Sequence, residues 1–445
     1  MTIVEAGAAL RARKISALEL TEECLGQVAA LNPRLNAFIT VTAGSARARA
    51  KELDRELAAG AIRGLLHGIP IAHKDLIYTK GVRTTSGSKL FENFVPDSDA
   101  AVVRKLDAAG AVMIGKTGLH ELAYGVTSDN PHFGAIRNPH DADRVPGGSS
   151  GGSGVAVSAG MTLLATGTDT GGSIRIPASY CGVVGLKPTY GLVDRSGVRP
   201  LGLTLDHIGP LAMTVPDTKA AFDAMAEWPR RRPAPQTIQH IRVGLPENFY
   251  FDRVDAEVAA AVHESVRAME KAGAKIVPVR VPDVNALNTA ARVILLVEAP
   301  SVFEPYLDQR DKFGADVLAL LDQGRLVHGT DYVNAQRVRK TLVGEFCRLF
   351  GRIDCLFTPT TPITAPRIGE KQVRIGSEVE DTRLATTRFV RGFNALGYPA
   401  LSLPCGKTKA GLPIGLQIVG RPYEDDLVLM VGAEVEARNG PVSGL

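Results

Sequence analysis

Short apolar runs, each bounded by glycine or proline, recur along this chain at 68–73, 111–114, 161–166, 181–186, 241–245 and 274–281, and again at 355–358, 400–405 and 414–419. No other feature constrains the fold as strongly. Runs of this length without polar alternation read as strands buried on both faces. Helical patterns separate several of them: 99–109 is closed by Gly110, and 257–271 by Gly273 with Val258, Val262, Val266 and Met269 on one stripe. Ahead of the first strand, Ser16 is placed to cap a helix carrying Leu18, Leu20, Cys24, Leu25 and Val28, and Ser45 to open a second that ends near Gly60. The alternation predicts an α/β fold with a mostly parallel or mixed sheet flanked by helices.

The charge balance, 51 Lys and Arg against 47 Asp and Glu, leaves +4 over 445 residues, too little to predict a nucleic-acid partner. The weakly polar stretch 154–167 falls short of the roughly 20 apolar residues a spanning helix needs, so no membrane span is expected. The first residues have no basic segment followed by an apolar one, and no secretory leader is expected. Cys24, Cys181, Cys347, Cys355 and Cys405 are odd in number and scattered, which reads as buried thiols in a reducing, cytoplasmic setting. The stretch 228–236, with three prolines and three arginines, reads as an exposed connection, and 285–350 as a polar, helix-leaning block without a chemical motif. Large α/β enzymes of this length often form one unit, and one domain is expected over 1–445.

Two glycine clusters rich in hydroxyls, Pro146-Gly-Gly-Ser-Ser-Gly-Gly-Ser-Gly154 and Gly167-Thr-Asp-Thr-Gly-Gly-Ser-Ile-Arg175, mark places where backbone turns sharply or approaches another group closely. Neither supplies the lysine of a phosphate-binding loop, and no G-x-G-x-x-G follows a strand. The first cluster matches G-x-S-x-G twice, but a polar, proline-rich segment precedes it where a nucleophile elbow needs a buried strand. His207, His240, His263 and His328 read as ordinary histidines. His120-Glu121 lacks the second histidine of a zinc helix, so no metal or other cofactor is expected. Serine chemistry driven by lysine remains. Such a lysine must be desolvated to lose its proton near neutrality. Lys74, ending the apolar run Gly68-Ile-Pro-Ile-Ala-His-Lys-Asp75, is one candidate and Lys116 the other.

At these residues the chain resembles the amidase signature family. The match takes in the 68–75 run, both glycine clusters, Val183-Val-Gly-Leu-Lys-Pro188, Asp206-His-Ile-Gly-Pro210, Phe393-Asn-Ala-Leu-Gly-Tyr-Pro-Ala400 and Gly411-Leu-Pro-Ile-Gly415, nearly the whole chain in order. The resemblance implies a large mixed sheet with helices on both faces, an N-terminal helical region at about 1–62, a catalytic core at about 63–225 and 350–445, and a variable helical region at about 285–350. It implies a Ser–Ser–Lys triad: Ser173 as acylated nucleophile, Ser149 as the bridging serine held by a cis peptide, Lys74 as terminal base. It places backbone N–H groups of Thr170, Gly171, Gly172 and Ser173 around the oxyanion, gives Asp169, Arg175 and Ser150 supporting roles alongside Ser153 and Thr168, and sets Ala123 and Tyr124 against the acyl part of the substrate. The implied activity is hydrolysis of a small-molecule amide, with an ester, anilide or carbamate also able to enter. A homodimer is compatible with everything read so far.

The alternative is the glutaminase subunit of a tRNA-dependent amidotransferase, which hands ammonia to a partner. Against it stand Ile176 where that subunit usually has glutamine, Thr387 where it has an acidic residue, and a shorter chain. A catalytically silent binding protein on the same scaffold is disfavoured by the presence of Lys74, Ser149 and Ser173.

Overall fold

A computed structural model describes residues 1–227 and 232–439; of the expected connection 228–236, the first four residues lie outside the described residues. The strands are β1 (Phe38–Val41), β2 (Pro70–Lys74), β3 (Val112–Thr117), β4 (Leu164–Asp169), β5 (Val184–Lys187), β6 (His207–Ala212), β7 (Arg242–Pro246), β8 (Lys275–Val279), β9 (Cys355–Pro359), β10 (Gln372–Ile375), β11 (Glu378–Asp381), β12 (Ala400–Lys407) and β13 (Pro413–Gly420). Eleven of them form one sheet in the order β1-β3-β2-β4-β6-β5-β12-β13-β9-β7-β8, while β10 and β11 make a separate ribbon. The sheet is mixed: β3, β2 and β4 run parallel, as do β9, β7 and β8, and the middle strands pair antiparallel.

All nine anticipated strands are present, some shifted by a few residues. The β10–β11 ribbon and, within the large sheet, β1 and β6 go beyond the expectation. β1 is a four-residue edge strand between two helices, and β6, His207-Ile-Gly-Pro-Leu-Ala212, carries the Gly-Pro pair that ordinarily signals a turn. β8 departs from the expectation of burial on both faces, because it closes one edge of the sheet and leaves Lys275 and Pro278 exposed.

The helices follow their capping chemistry. Ser16 and Glu19 form a reciprocal capping box at the start of Ala17–Leu35. The next helix, Ala43–Ala58, begins two residues before Ser45, whose hydroxyl donates to the Thr42 carbonyl at 3.0 Å. In Ala256–Lys271, Val258, Val262, Val266 and Met269 are all buried, each contributing roughly 1.5–3 kcal/mol relative to exposure.

Two expectations about composition change. The 285–350 block is not uniformly polar: the stretch Val284–Tyr306 is long and apolar enough to cross a membrane by length and composition. Its apolar side, including Leu287, Ala291, Ile294 and Phe303, is buried in the fold, with the helices Ala315–Arg325, Gly329–Phe350 and Arg391–Leu396 packed against it. Of the five cysteines, four are buried as expected and Cys347 is exposed, since it falls on the outer face of Gly329–Phe350.

Parallel pairing of β2 with β4 brings their C-terminal ends together, with His73 opposite Thr166, so Lys74 and Asp169 leave the sheet at the same edge. Open α/β sheets bind their ligands outside such strand ends. Helix Gly151–Ser158 packs so tightly there that a Cβ on Gly152 would lie 2.5 Å from backbone atoms of Gly118, which explains the glycine density of the first cluster.

Candidate active site

Lys74 ends β2 with no exposed surface, and its Nζ lies 2.8 Å from Ser149 Oγ, 2.9 Å from Ser150 Oγ and 2.8 Å from Thr168 Oγ1. Burial pushes its pKa down to about 7, against the pull of Asp169 and Asp206. Ser149 follows a cis peptide bond from Gly148, and its carbonyl accepts from the His120 N–H at 3.1 Å. The Ser150 hydroxyl donates to the Thr168 carbonyl at 3.1 Å, and the Ser150 N–H to the Ser173 carbonyl at 3.1 Å. The second glycine cluster is thereby tied to the first. The hydroxyl of Ser173 itself makes no hydrogen bond among the described residues.

The turn that carries Ser173 is held by a carboxylate. Asp169 accepts from the N–H groups of Gly172 at 2.7 Å and Ile174 at 3.2 Å, and takes a two-point contact from Arg175, each at 3.0 Å. Arg175 also donates to the Val390 carbonyl, Gln417 Oε1 and Asn394 Oδ1 at 2.7–2.9 Å. Burial alone would raise the Asp169 pKa, but the Arg175 guanidinium overrides it and keeps the carboxyl ionised well below its usual range. The expected oxyanion donors are changed by this arrangement. Gly172 gives its N–H to Asp169, while those of Thr170, Gly171 and Ser173 have no acceptor among the described residues. Gly172 is needed instead for its backbone: its φ is +120°, and a Cβ would lie 2.3 Å from Val390 Cγ2.

Ser153 points away from the lysine, bonding Thr117 Oγ1 at 2.8 Å and the Thr166 carbonyl at 2.9 Å. Lys116 gives its ammonium to the Ile77 carbonyl and sits beside Asp75, apart from the serines. A third buried lysine, Lys187, is absent from the sequence-based expectation; it donates to the Pro188 carbonyl at 3.0 Å near Asp169 and Asp425. Asn394 and Gln417 are likewise new as anchors of Arg175, although Asn394 stands in the Phe393-Asn-Ala stretch that carries the resemblance.

Two cavities lie near the turn, the first reaching its Thr170. One, of about 350 Å³, is lined by Ala123, Thr168, Thr170, Arg199 and Asp206 among others, with Thr170 Oγ1 donating to Asp206 at 2.6 Å. The other, of about 330 Å³, is lined by Tyr124, Arg292, Arg383 and Arg391 together with Leu295 and Asp381. Leu122 and Ala123 both have positive φ, +52° and +61°, in the turn that sets Tyr124. His120 pairs with Asp316 at 2.9 Å, joining this turn to helix Ala315–Arg325.

The family model described as Amidase matches residues 19–429. The chain is similar to a glutamyl-tRNA(Gln) amidotransferase subunit of Koribacter versatilis, at 36% identity over 98% of each chain. Among solved structures it is similar to one described as "Crystal structure of amidase", at 36% identity and a TM-score of 0.93 over 99% of this chain and 100% of the other. It is also similar to the peptide amidase of Stenotrophomonas maltophilia, at 30% identity and a TM-score of 0.85 over 100% and 98%.

Proposed function

The chain belongs to the amidase family and is a hydrolase of carbon–nitrogen bonds in amides; from that premise we propose that it works through an acyl-enzyme on Ser173, with Ser149 and Lys74 relaying the proton. The observation that carries this reading is the Lys74 amine, fully buried and in contact with three hydroxyls and no carboxylate. A neutral amine donates twice and accepts once. Ser150 has already committed its proton to the Thr168 carbonyl, so Lys74 donates to it; with the second donation going to Thr168 Oγ1, the lone pair is left for the proton of Ser149.

In the proposed step, Ser173 Oγ attacks the amide carbonyl carbon, its proton passes to Ser149 Oγ, and the Ser149 proton passes to Lys74 Nζ. The free N–H groups of Thr170, Gly171 and Ser173 are the oxyanion donors that the hydrogen-bond pattern leaves available, each contributing roughly 3 kcal/mol. Reversal of the relay protonates the departing nitrogen as the C–N bond breaks. Water then attacks the ester carbonyl, gives its proton to the same relay, and releases the acid and Ser173. Asp169 and Arg175 act through the backbone by bracing the turn.

A second reading, the ammonia-supplying glutaminase subunit, is favoured by the curated relatives, which carry an amidotransferase name at 36–39% identity. They weigh for it more than the sequence alone does. The chain spans 94–98% of their length, so its shorter length does not argue against it. Ile176 is also weaker as a mark, because it is buried under Gly147 and Gly172 in a small apolar cluster and answers to packing. Thr387 still separates the readings: its hydroxyl bonds the Arg383 and Leu384 carbonyls, and no carboxylate stands there. Purified chain incubated with aryl and alkyl amides and with glutamine decides the matter. Amide hydrolysis with fluorophosphonate labelling of Ser173 is expected, whereas strong glutamine turnover with none on the amides selects the second reading.

A further inference from the structure

Arginines inside a protein normally have partners, and in this chain most do: Arg175 has Asp169, Arg388 has Glu380, and Arg421 has Asp354 and Glu424. Arg292, Arg383 and Arg391 line one cavity, and their guanidiniums make no hydrogen bond or ion pair among the described residues. The Arg383 guanidinium approaches the Tyr124 ring, 5.3 Å from its centroid, and feels the carboxylates of Asp316 and Asp381 only from beyond ion-pair distance. The three arginines come from three separate helices, Val284–Phe303, Thr382–Thr387 and Arg391–Leu396, which converge there.

Tyr124 and the leucines complete the wall, and the single acidic side chain among the lining residues, Asp381, is engaged in capping Thr382–Thr387 through Leu384 N–H at 3.0 Å. Burial, and the neighbouring Arg383 and Arg292, push the Arg391 pKa down to about 10, the direction expected where like charges share a poorly solvated space. Three guanidiniums gathered without one ion pair, and with only Asp316 and Asp381 pulling on Arg383 from a distance, do not serve stability. Their arrangement is suited to an anion, and the planar fork of each suits a carboxylate in two-point contact.

The cavity also has the right position. Arg391 Nε lies 3.8 Å from where a Cβ on Gly171 would stand, two residues before Ser173, and Tyr124 is adjacent to Ala123 of the neighbouring cavity. An anion held there sits within a few bonds of a carbonyl presented to Ser173.

We infer that the substrate is an amide carrying a carboxylate a few bonds from the scissile carbonyl, such as a half-amide of a short dicarboxylic acid, bound by Arg292, Arg383 and Arg391. This rests on the hydrolase reading and names its substrate class. Glutamine brings an ammonium group as well as a carboxylate into a cavity with three cations, so a half-amide without an amino group is the better fit.

The test compares succinamate with butyramide, which lacks the carboxylate, in wild type and in Arg383→Gln and Arg391→Gln. Wild type is expected to favour succinamate in kcat/KM by about a hundredfold or more, and each variant to shrink that ratio at least tenfold, mainly through KM. Arg383→Lys should restore part of it. Because the substitutions relieve repulsion, thermal unfolding should not move to lower temperature, which separates lost recognition from lost folding. Calorimetric binding of succinamate to Ser173→Ala, with and without Arg383→Gln, reads recognition without turnover; at least tenfold weaker binding in the double variant is expected. Equal rates on the two amides in wild type, or equal binding in the two Ser173→Ala proteins, overturns the inference. Failure of fluorophosphonate labelling at Ser173 would instead remove the hydrolase mechanism and leave the binding result standing on its own.

Discussion

The two sides of the Ser173 turn bury charge in opposite ways. On one side Asp169 and Arg175 face each other, and Asn394, Gln417 and three backbone groups complete the set. On the other side Lys74 meets hydroxyls alone. A buried charge with a matched partner stays charged and fixes structure. A buried amine without a carboxylate is driven toward its neutral form and becomes a base. The difference assigns bracing to the first region and proton transfer to the second.

The largest effects that test this contrast are on turnover. Ser173→Ala and Lys74→Met should each lower kcat roughly a thousandfold or more, because members of a relay act as a unit, while circular dichroism and unfolding midpoints stay near wild type. A Lys74→Met enzyme with near-normal rates would erase the contrast. Asp169→Asn should behave differently: it leaves Arg175 buried without its counter-charge and should cost about 3–5 kcal/mol in denaturant unfolding, as well as activity.

The pH dependence separates the regions further. Since the base must be neutral and burial holds Lys74 at about 7, kcat/KM should fall about tenfold per pH unit below that point and level off above it. The sign for stability follows from the same group. Between about 7 and the unfolded value near 10.4, the unfolded chain holds a proton that the folded chain has lost, so the Lys74 contribution to stability rises with pH across that window. Comparing wild type with Lys74→Met by denaturant unfolding at pH 7 and pH 10 isolates it.

Ser150→Ala removes one acceptor from Lys74 and should lower kcat/KM about two- to tenfold while moving the pH midpoint downward, because a hydroxyl acceptor favours the ammonium form. The smallest effect belongs to Ser153→Ala. Its hydroxyl serves Thr117 and Thr166, so about 1 kcal/mol of stability should go with no change in the pH profile.

Much of the fold and the site is legible in the chain, for reasons that differ by residue. Lys74 can be found because it ends an apolar run and so is carried into the interior at a strand end. Ser149, Ser150 and Ser173 stand in glycine-dense turns, and the tight packing at Gly152 and Gly172 explains that density. β6 is hidden because Pro210 and Gly209 resemble a turn, yet pairing with β4 and β5 overrides that local signal. Lys187 carries the same local signal as Lys74, following the apolar run 181–186 and ending β5, so its burial is equally legible in the chain. The arginine cavity is illegible: Arg292 stands about a hundred positions from Arg383 and Arg391, and nothing local predicts that their helices converge. The N–H of Gly172 cannot be assigned from the chain either, since the motif that suggests a donor does not show that Asp169 already accepts from it.

The charge state of Lys74 is the point on which the account stands. Titration of its side-chain Cε and Nζ resonances in selectively labelled protein, assigned by Lys74→Met, measures it directly. A midpoint near 7 is the predicted result, while a side chain that stays protonated up to the ordinary lysine range near 10.4 would contradict the proposed relay.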